Sequence, residues 1–237
     1  NMVLGQVKTE EKSNEITAIP LLLELLDVKG AVVTIDAMGT QKDIATKICE
    51  RGADYILSVK KNQLTIYEDI ETLVQEESKN NYSDIKHEHY KTLDKGHGRI
   101  EVREYWLFPE VSWASWAAEW KNLGAIGVVK RRITKGDIVT EEMAYYITSL
   151  KSNVQQFATG VRSHWGVESM HWSLDVVLNE DKRTVRKDNG AQNLAVLKRM
   201  ALNIIRADDN FEKASGPRKR FRACLDNSYL ETVLSNM

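Results

Sequence analysis

Between two amphipathic stretches lies the run AVVTIDAM, residues 31–38, in which apolar and β-branched side chains follow one another with no polar alternation. Such a run predicts a strand covered on both faces, and a strand so covered belongs to a sheet with helices on each side. Upstream, Ile16, Ile19, Leu22, Leu23 and Leu26 form a helical stripe behind a Ser13 or Asn14 cap, with Pro20 placed to kink its first turns and Lys29-Gly30 to end it. Downstream, QKDIATKICERG (41–52) carries Ile44, Ala45 and Ile48 at helical spacing and closes on a glycine. ADYILSVKK (53–61) then reads as a second strand, and NQLTIYEDIETLVQEESK (62–79) as a third helix ending near Asn80-Asn81. Helix, buried strand, helix, strand is the grammar of a mixed or parallel α/β sheet.

From about residue 84 to 148 the period changes to two: IKHEHYKTL, GRIEVREYWLF, AIGVVKRRIT and EEMAYYITSL read as strands of an inserted antiparallel β subdomain. Trp106, Trp113, Trp116 and Trp120 are expected to pack this insertion. Helical spacing returns after Ser152, first as one helix over 154–178 and then over 189–207, and the basic end of the chain is helical again. VLGQVKT (3–9) reads as a strand. The organisation that follows is a first part of the core at 1–80, a β-rich insertion at 81–152, a helical completion of the core at 153–210 and a basic helix or tail at 211–237. With 237 residues, 42% of them hydrophobic, the chain can bury a substantial core. It has no apolar run of about 18 residues or more, and its first residues lack signal-peptide order, so a cytoplasmic location is expected. Cys49 and Cys224 share no spacing with a partner His or Cys and are expected to be buried thiols.

A net charge of −1 says nothing for or against nucleic acid, because its distribution matters more. Lys130, Arg131 and Arg132 form one basic cluster. Lys182, Arg183, Arg186 and Lys187 form a second, and Arg218, Lys219, Arg220 and Arg222 a third; together they make a phosphate-contacting surface reasonable. Asp36 is the one charge in its strand. It is either a functional carboxylate at a strand's C-terminal end, where open α/β sheets place their sites, or a cap on the following turn. At helical spacing His164, Glu168, His171 and Asp175 share a face, beside an apolar stripe of Val161, Trp165, Trp172 and Val176. That face is either a metal site or an exposed polar surface.

The segments VLGQVKTEEKSNEI, AVVTIDAMGTQKDIA, GADYILSVKKNQ, HGRIEVREY and VRSHWGVESMHWSLDVVLNEDKRTVRKDNGAQNLAVLKRMALNII, in that order over nearly the whole chain, closely resemble the DDE-type transposases of bacterial insertion sequences in the H-repeat-associated group. The resemblance implies a ribonuclease-H-like fold, a mixed sheet flanked by helices in which two Asp and one Glu surround divalent metal, with a β-rich insertion before the Glu. It implies Mg²⁺, or Mn²⁺ in its place, as cofactor, and transposon-end and target DNA as partners, with self-association in a DNA complex. Carried over, Asp36 in VTIDAMG matches the family's second Asp and Glu168 in HWGVESMHW its Glu, both as catalytic metal ligands. The first Asp has no counterpart, since it lies upstream of the VLGQ strand. The chain is therefore expected to be N-terminally shortened, binding metal weakly and transferring strands poorly. The Tyr, Arg and Lys that related transposases place around the Glu are replaced here by Val161, His164 and Asp175, leaving Arg162 and His164 to contact phosphate, with Lys130, Arg131, Arg132, Arg183 and Arg186 on the DNA surface.

Two Mg²⁺ ions about 4 Å apart clamp the attacking and leaving oxygens of a phosphodiester, so Asp36, at a central strand end, is expected within roughly 8 Å of Glu168. Hard cations that keep several waters call for carboxylate oxygens rather than thiolates. Two alternatives stand beside this one. A zinc-dependent hydrolase would use the His164, Glu168, His171 and Asp175 face. A non-catalytic remnant would bind DNA through its basic clusters, and its HGRIE segment, with His97, Gly98 and Arg99, is either a DNA-backbone contact or a hairpin turn.

Overall fold

The computed structural model describes residues 2–7, 15–96, 98–182, 184–185, 187–211 and 214–235. The chain divides into two compact units, Thr9–His164 and Asn1–Lys8 with Trp165–Met237. The first unit holds α1 (Glu15–Leu25), β1 (Val32–Ile35), α2 (Lys42–Glu50), β2 (Asp54–Val59), α3 (Leu64–Glu77), β3 (Glu88–Gly96), β4 (Arg99–Phe108), β5 (Ala125–Lys135), β6 (Ile138–Thr148) and α4 (Val154–His164). The second holds α5 (Gly166–Trp172), a π-helical turn at Ser173–Val177, α6 (Gly190–Ala207), α7 (Gly216–Leu225) and α8 (Asn227–Ser235). The Ser13 and Asn14 caps lie outside the described residues.

All six strands join one mixed sheet in the order β1-β2-β6-β5-β4-β3. β1 and β2 run parallel, Val32 opposite Asp54 and Ile35 opposite Leu57, with α2 as the crossover. β2 meets β6 antiparallel, so the strands of the 81–152 segment continue the sheet that β1 and β2 begin. Strand periodicity sorts the core into two faces. Tyr55, Leu57, Val59, Trp106, Phe108, Ile126, Val128, Tyr145 and Ile147 pack with Leu23, Ile44, Ile48, Ile66 and Ile70 from α1, α2 and α3. The alternate residues Ile56, Tyr105, Leu107, Ala125 and Val129 pack with Val154, Phe157, Ala158 and Val161 of α4. Gly127 is what lets α4 approach: a Cβ there would stand 2.3 Å from Cζ of Phe157, a ring with no exposed surface. Gly127→Ala is therefore expected to cost about 1–3 kcal/mol by overpacking. Urea unfolding checks this; an unchanged midpoint would mean that the ring can move aside.

Four expectations change. β1 is a sheet edge among the described residues, half-buried along its length rather than covered, because only β2 pairs with it. Residues 2–7 form no strand: a strand needs a neighbour, and both backbone groups of Val3 instead bond the side-chain amide of Asn203, while Lys8 and Thr9 lie outside the described residues. The single helix over 154–178 is broken at Trp165 and ends in the π turn, where the Ser173 hydroxyl donates to the Ser169 carbonyl (2.8 Å), a contact that bends helices. Cys224 is exposed on α7 and Cys49 only half-buried, against Lys121. Trp116 and Trp120 bury against the face shared with α3, Trp116 donating to Asp69 Oδ2 at 2.9 Å, while Trp113 stays 47% exposed.

Candidate metal and DNA site

Asp36 is the first residue beyond β1 and is exposed. Its Oδ1 accepts the N–H groups of Met38 (3.2 Å) and Gly39 (3.3 Å), so the carboxylate caps its own turn with one oxygen. Its other oxygen, Oδ2, has no hydrogen-bond partner among the described residues. The two readings left open by the sequence are thus compatible: one oxygen orients the group and the other is displayed.

Within the turn, residues 36–41, the Gly39 carbonyl accepts the Gln41 N–H at 2.9 Å and the Ala37 carbonyl accepts the Thr40 N–H at a long 3.4 Å, and side chains supply the remaining contacts. Asn62 Nδ2 donates to the Ala37 carbonyl (2.6 Å) and Gln63 Nε2 to the Thr40 carbonyl (2.9 Å). The Gln41 amide takes Met38 O at 3.2 Å. Thr40, fully buried, has its hydroxyl 2.6 Å from Ser58 O and 3.2 Å from Asp36 O; its one proton goes to the shorter contact. Gly39 sits so close to the core that a Cβ would meet Ile35 Cγ2 at 2.3 Å and Ile19 Cδ1 at 2.9 Å. None of Thr40, Asn62 and Gln63 was marked by period or charge; the sole signal was a polar Asn-Gln pair directly after a buried strand.

His164, half-buried at the end of α4, has Nδ1 3.0 Å from the Thr34 hydroxyl, two residues before Asp36 on β1. Arg162 is exposed on the same helix. Burial raises the Tyr105 phenol above its usual range, opposed mainly by the charge of Arg103 and in small part by that of Arg162. Glu168, in the first turn of α5, and His171 are exposed, and they belong to the second unit together with half-buried Asp175. The helix boundary at Trp165 leaves His164 at the end of α4 and Glu168 and His171 on α5, with Asp175 in the π turn. Among the described residues, no three His, Cys, Asp or Glu side chains are grouped to hold a metal ion.

The basic clusters are largely engaged with acids or backbone. Lys130 pairs with Glu141 at 3.1 Å, Arg132 with Glu141 at 3.6 Å, and Arg131 with Glu101 and Glu142. Arg183 and Arg186 lie outside the described residues. In the third cluster Lys219 is buried against Asp208, Arg220 donates to the Val177 carbonyl, and Arg222 lies over the rings of Phe211 and Tyr229. In the HGRIE segment Gly98 has φ +71°, as a tight turn between β3 and β4 requires; His97 lies outside the described residues. No helix among the described residues is long and apolar enough to cross a membrane.

A mixed sheet flanked by helices, with a carboxylate displayed where a parallel strand ends, is the architecture of ribonuclease-H-like enzymes. Residues 1–204 match the family model for the transposase DDE domain, and the chain belongs to that family. It is 41% identical over 242 residues to the "H repeat-associated putative transposase YhhI" of Escherichia coli K12, covering 99% of this chain and 63% of that protein. It is 43% identical over 242 residues to the "Putative transposase YncI" of E. coli O157:H7, covering 99% of this chain and 60% of that protein. The chain thus spans somewhat under two thirds of the length of these relatives.

Proposed function

We propose that the chain is the catalytic-core part of a DNA transposase, with Asp36 and Glu168 as two of its metal-binding carboxylates. The observation that carries this is the displayed Asp36 carboxylate, held by its own turn at a strand end in a chain whose first 204 residues match the transposase DDE domain. The donor set suits a hard divalent cation, Mg²⁺ or Mn²⁺, because both residues offer carboxylate oxygen and neither Cys is near in sequence. When bound, such ions neutralise the charge that builds on a phosphodiester during cleavage and strand transfer.

The chain's own residues supply the rest. Asp36 arrives with one oxygen already committed to the turn, so little rotational freedom is lost on binding. Arg162, exposed on α4, would meet DNA phosphate, and Thr34 fixes the ring of His164 for the same purpose. Lys130, Arg131 and Arg132 are paired with glutamates and would offer DNA less free charge; Arg183 and Arg186 stay in the proposed surface. Among the described residues only β2 pairs with β1, so its other edge is free to take a further strand that brings a third carboxylate. DNA as substrate goes with a cytoplasmic location and with self-association on paired element ends.

Asp36→Asn and Glu168→Gln, each placed in the full-length protein, are expected to reduce Mg²⁺-dependent cleavage of duplex DNA bearing the element ends to background, with retention of that DNA in a gel shift unchanged. Cleavage at the wild-type rate in either variant would sink the assignment and leave a DNA-binding protein without this chemistry. Stoichiometric zinc that disappears in His171→Ala would instead support the hydrolase alternative.

A further inference from the structure

We propose that Asn62 and Gln63 are positioning residues for Asp36, fixing the direction of its carboxylate from a different element of the fold. The inference rests on Asp36 being a metal ligand. It starts from a mismatch: the residue that must be held most accurately lies outside regular structure, exposed at the head of a turn. A turn of this kind keeps its shape only if its backbone groups find partners. Two of its carbonyls, at Ala37 and Thr40, are met by side-chain amides that stand 25 and 23 residues further along, at the start of the segment leading into α3.

That segment is itself anchored. It leaves β2, which pairs on both edges, and it continues into α3, whose Ile66 and Ile70 are buried. Between the two, Gln63 N donates to Lys60 O at 2.9 Å, closing the bend from which both side chains project. The buried Thr40 hydroxyl ties the turn to Ser58 on β2, and Gly39 seats it on Ile35 and Ile19. The Met38 and Gly39 amides that hold Asp36 Oδ1 are therefore placed by contacts on either side of them, at Ala37 and at Thr40. Loss of the Asn62 contact leaves the Ala37 carbonyl with only the long 3.4 Å Thr40 N–H contact among the described residues, which loosens the peptide that begins the turn and with it the angle at which Oδ2 is displayed. Partners that orient a metal ligand without touching the metal commonly carry about 10–100-fold of metal affinity or activity.

The test uses isosteric variants that replace the amide donor by a carboxylate, which cannot donate and repels the carbonyl it faces: Asn62→Asp and Gln63→Glu. In the present chain, amide hydrogen exchange followed by NMR is expected to quicken about tenfold or more at Met38 and Gly39 in Asn62→Asp, with Ile126 and Val128 in β5 unchanged. Gln63→Glu carries the same expectation. Wild-type exchange at Met38 and Gly39 in both variants overturns the proposal, and so does equal acceleration in β5, which would make the two amides general supports of the sheet.

A second measurement, titration of the full-length protein with Mn²⁺ read from the free-ion EPR signal, is expected to show about 10–100-fold weaker binding in Asn62→Asp. Asp36→Asn separates the two levels. If Asp36→Asn weakens Mn²⁺ binding and Asn62→Asp does not, the positioning role fails while the ligand assignment stands. If Asp36→Asn leaves Mn²⁺ binding untouched, the ligand assignment itself fails, and the positioning role with it.

Discussion

Replacing Glu101 by Ala is expected to cost the Thr9–His164 unit about 3–5 kcal/mol, the penalty typical of removing one partner from a buried ion pair. Glu101 is 3% exposed on β4 and accepts from two guanidinium groups, Arg103 of the same strand and Arg131 of β5, with Arg99 3.5 Å away. Arg103 and Arg131 stand directly opposite each other in the ladder, an arrangement of like charges that is unfavourable by itself. The glutamate between them offsets the repulsion. Without it, Arg103, also nearly buried, still faces Asp94, and Arg131 still faces Glu142.

Urea unfolding at neutral pH measures the loss, and a cost below about 1 kcal/mol would show that water reaches the site and that the pair is not truly buried. The acid limb supplies a second check. Burial raises the Glu101 carboxyl, but Arg131, Arg103 and Arg99 outweigh it and hold the group below its ordinary value of 4.5. Its contribution is thus complete above that value and is lost as pH falls through the lower, folded-state one. The gap between wild type and Glu101→Gln should be constant near neutrality and close progressively in acid below about pH 4.5.

The second large effect is expected in the other unit. Asp208 closes α6 and binds both following helices: its Oδ2 accepts the Tyr229 hydroxyl of α8 at 2.6 Å and lies 3.5 Å from Lys219 Nζ of α7. The same lysine donates to the backbone carbonyl of Asp208, and Oδ1 takes the Asn210 N–H at 3.0 Å. Burial pushes the Asp208 carboxyl up, but these donors and Lys219 more than reverse it, while Tyr229 is driven to about 12, by burial first and then by the carboxylate. Asp208→Ala leaves a buried ammonium facing carbonyls alone, at a cost again of about 3–5 kcal/mol. Helices of 10 and 9 residues do not persist without tertiary support, so α7 and α8 should come loose. Limited trypsin digestion at Arg218, Arg220 and Arg222 is expected to accelerate at least about a hundredfold, as opening becomes that much easier. An unchanged cleavage rate would mean that Phe211, edge-on to Tyr229, and Arg222, over the Tyr229 ring, hold the helices without the carboxylate.

Periodicity located the sheet strands and the helices α1, α2, α3, α4 and α6, because each repeats its apolar residues against one buried face. It placed Asp36 correctly at a strand end, since a lone charge in an apolar run has few places to go. It could not tell that β1 is an edge, because edge and centre differ in neighbours rather than in composition. The stripe through residues 154–178 reads as one helix; the turn at Trp165 and the π turn after it leave no mark in the apolar spacing. Glu101 and Arg103 alternate along β4 like any solvent-facing pair, and their burial comes from Arg131 and Asp94 on the neighbouring strands. The role of the Asn62 and Gln63 amides is hidden for the same reason: their work is done 23 to 25 positions away.

The adjacency of β2 and β6 sets an order in time. Tyr55 donates its N–H to Ser149 Oγ, and its carbonyl accepts from the Thr148 hydroxyl, partners 94 and 93 residues later in the chain. During synthesis, at roughly 5–20 residues per second, one edge of β2 must wait about 5–20 s for β6 to emerge. Until then an apolar strand lies open to any other nascent chain that can pair with it, the state from which aggregation starts. Closing so long a loop is also a slow step for the isolated chain. Expression at lower temperature or dilution during refolding should therefore raise the yield of folded protein more than any single stabilising substitution elsewhere in the sheet.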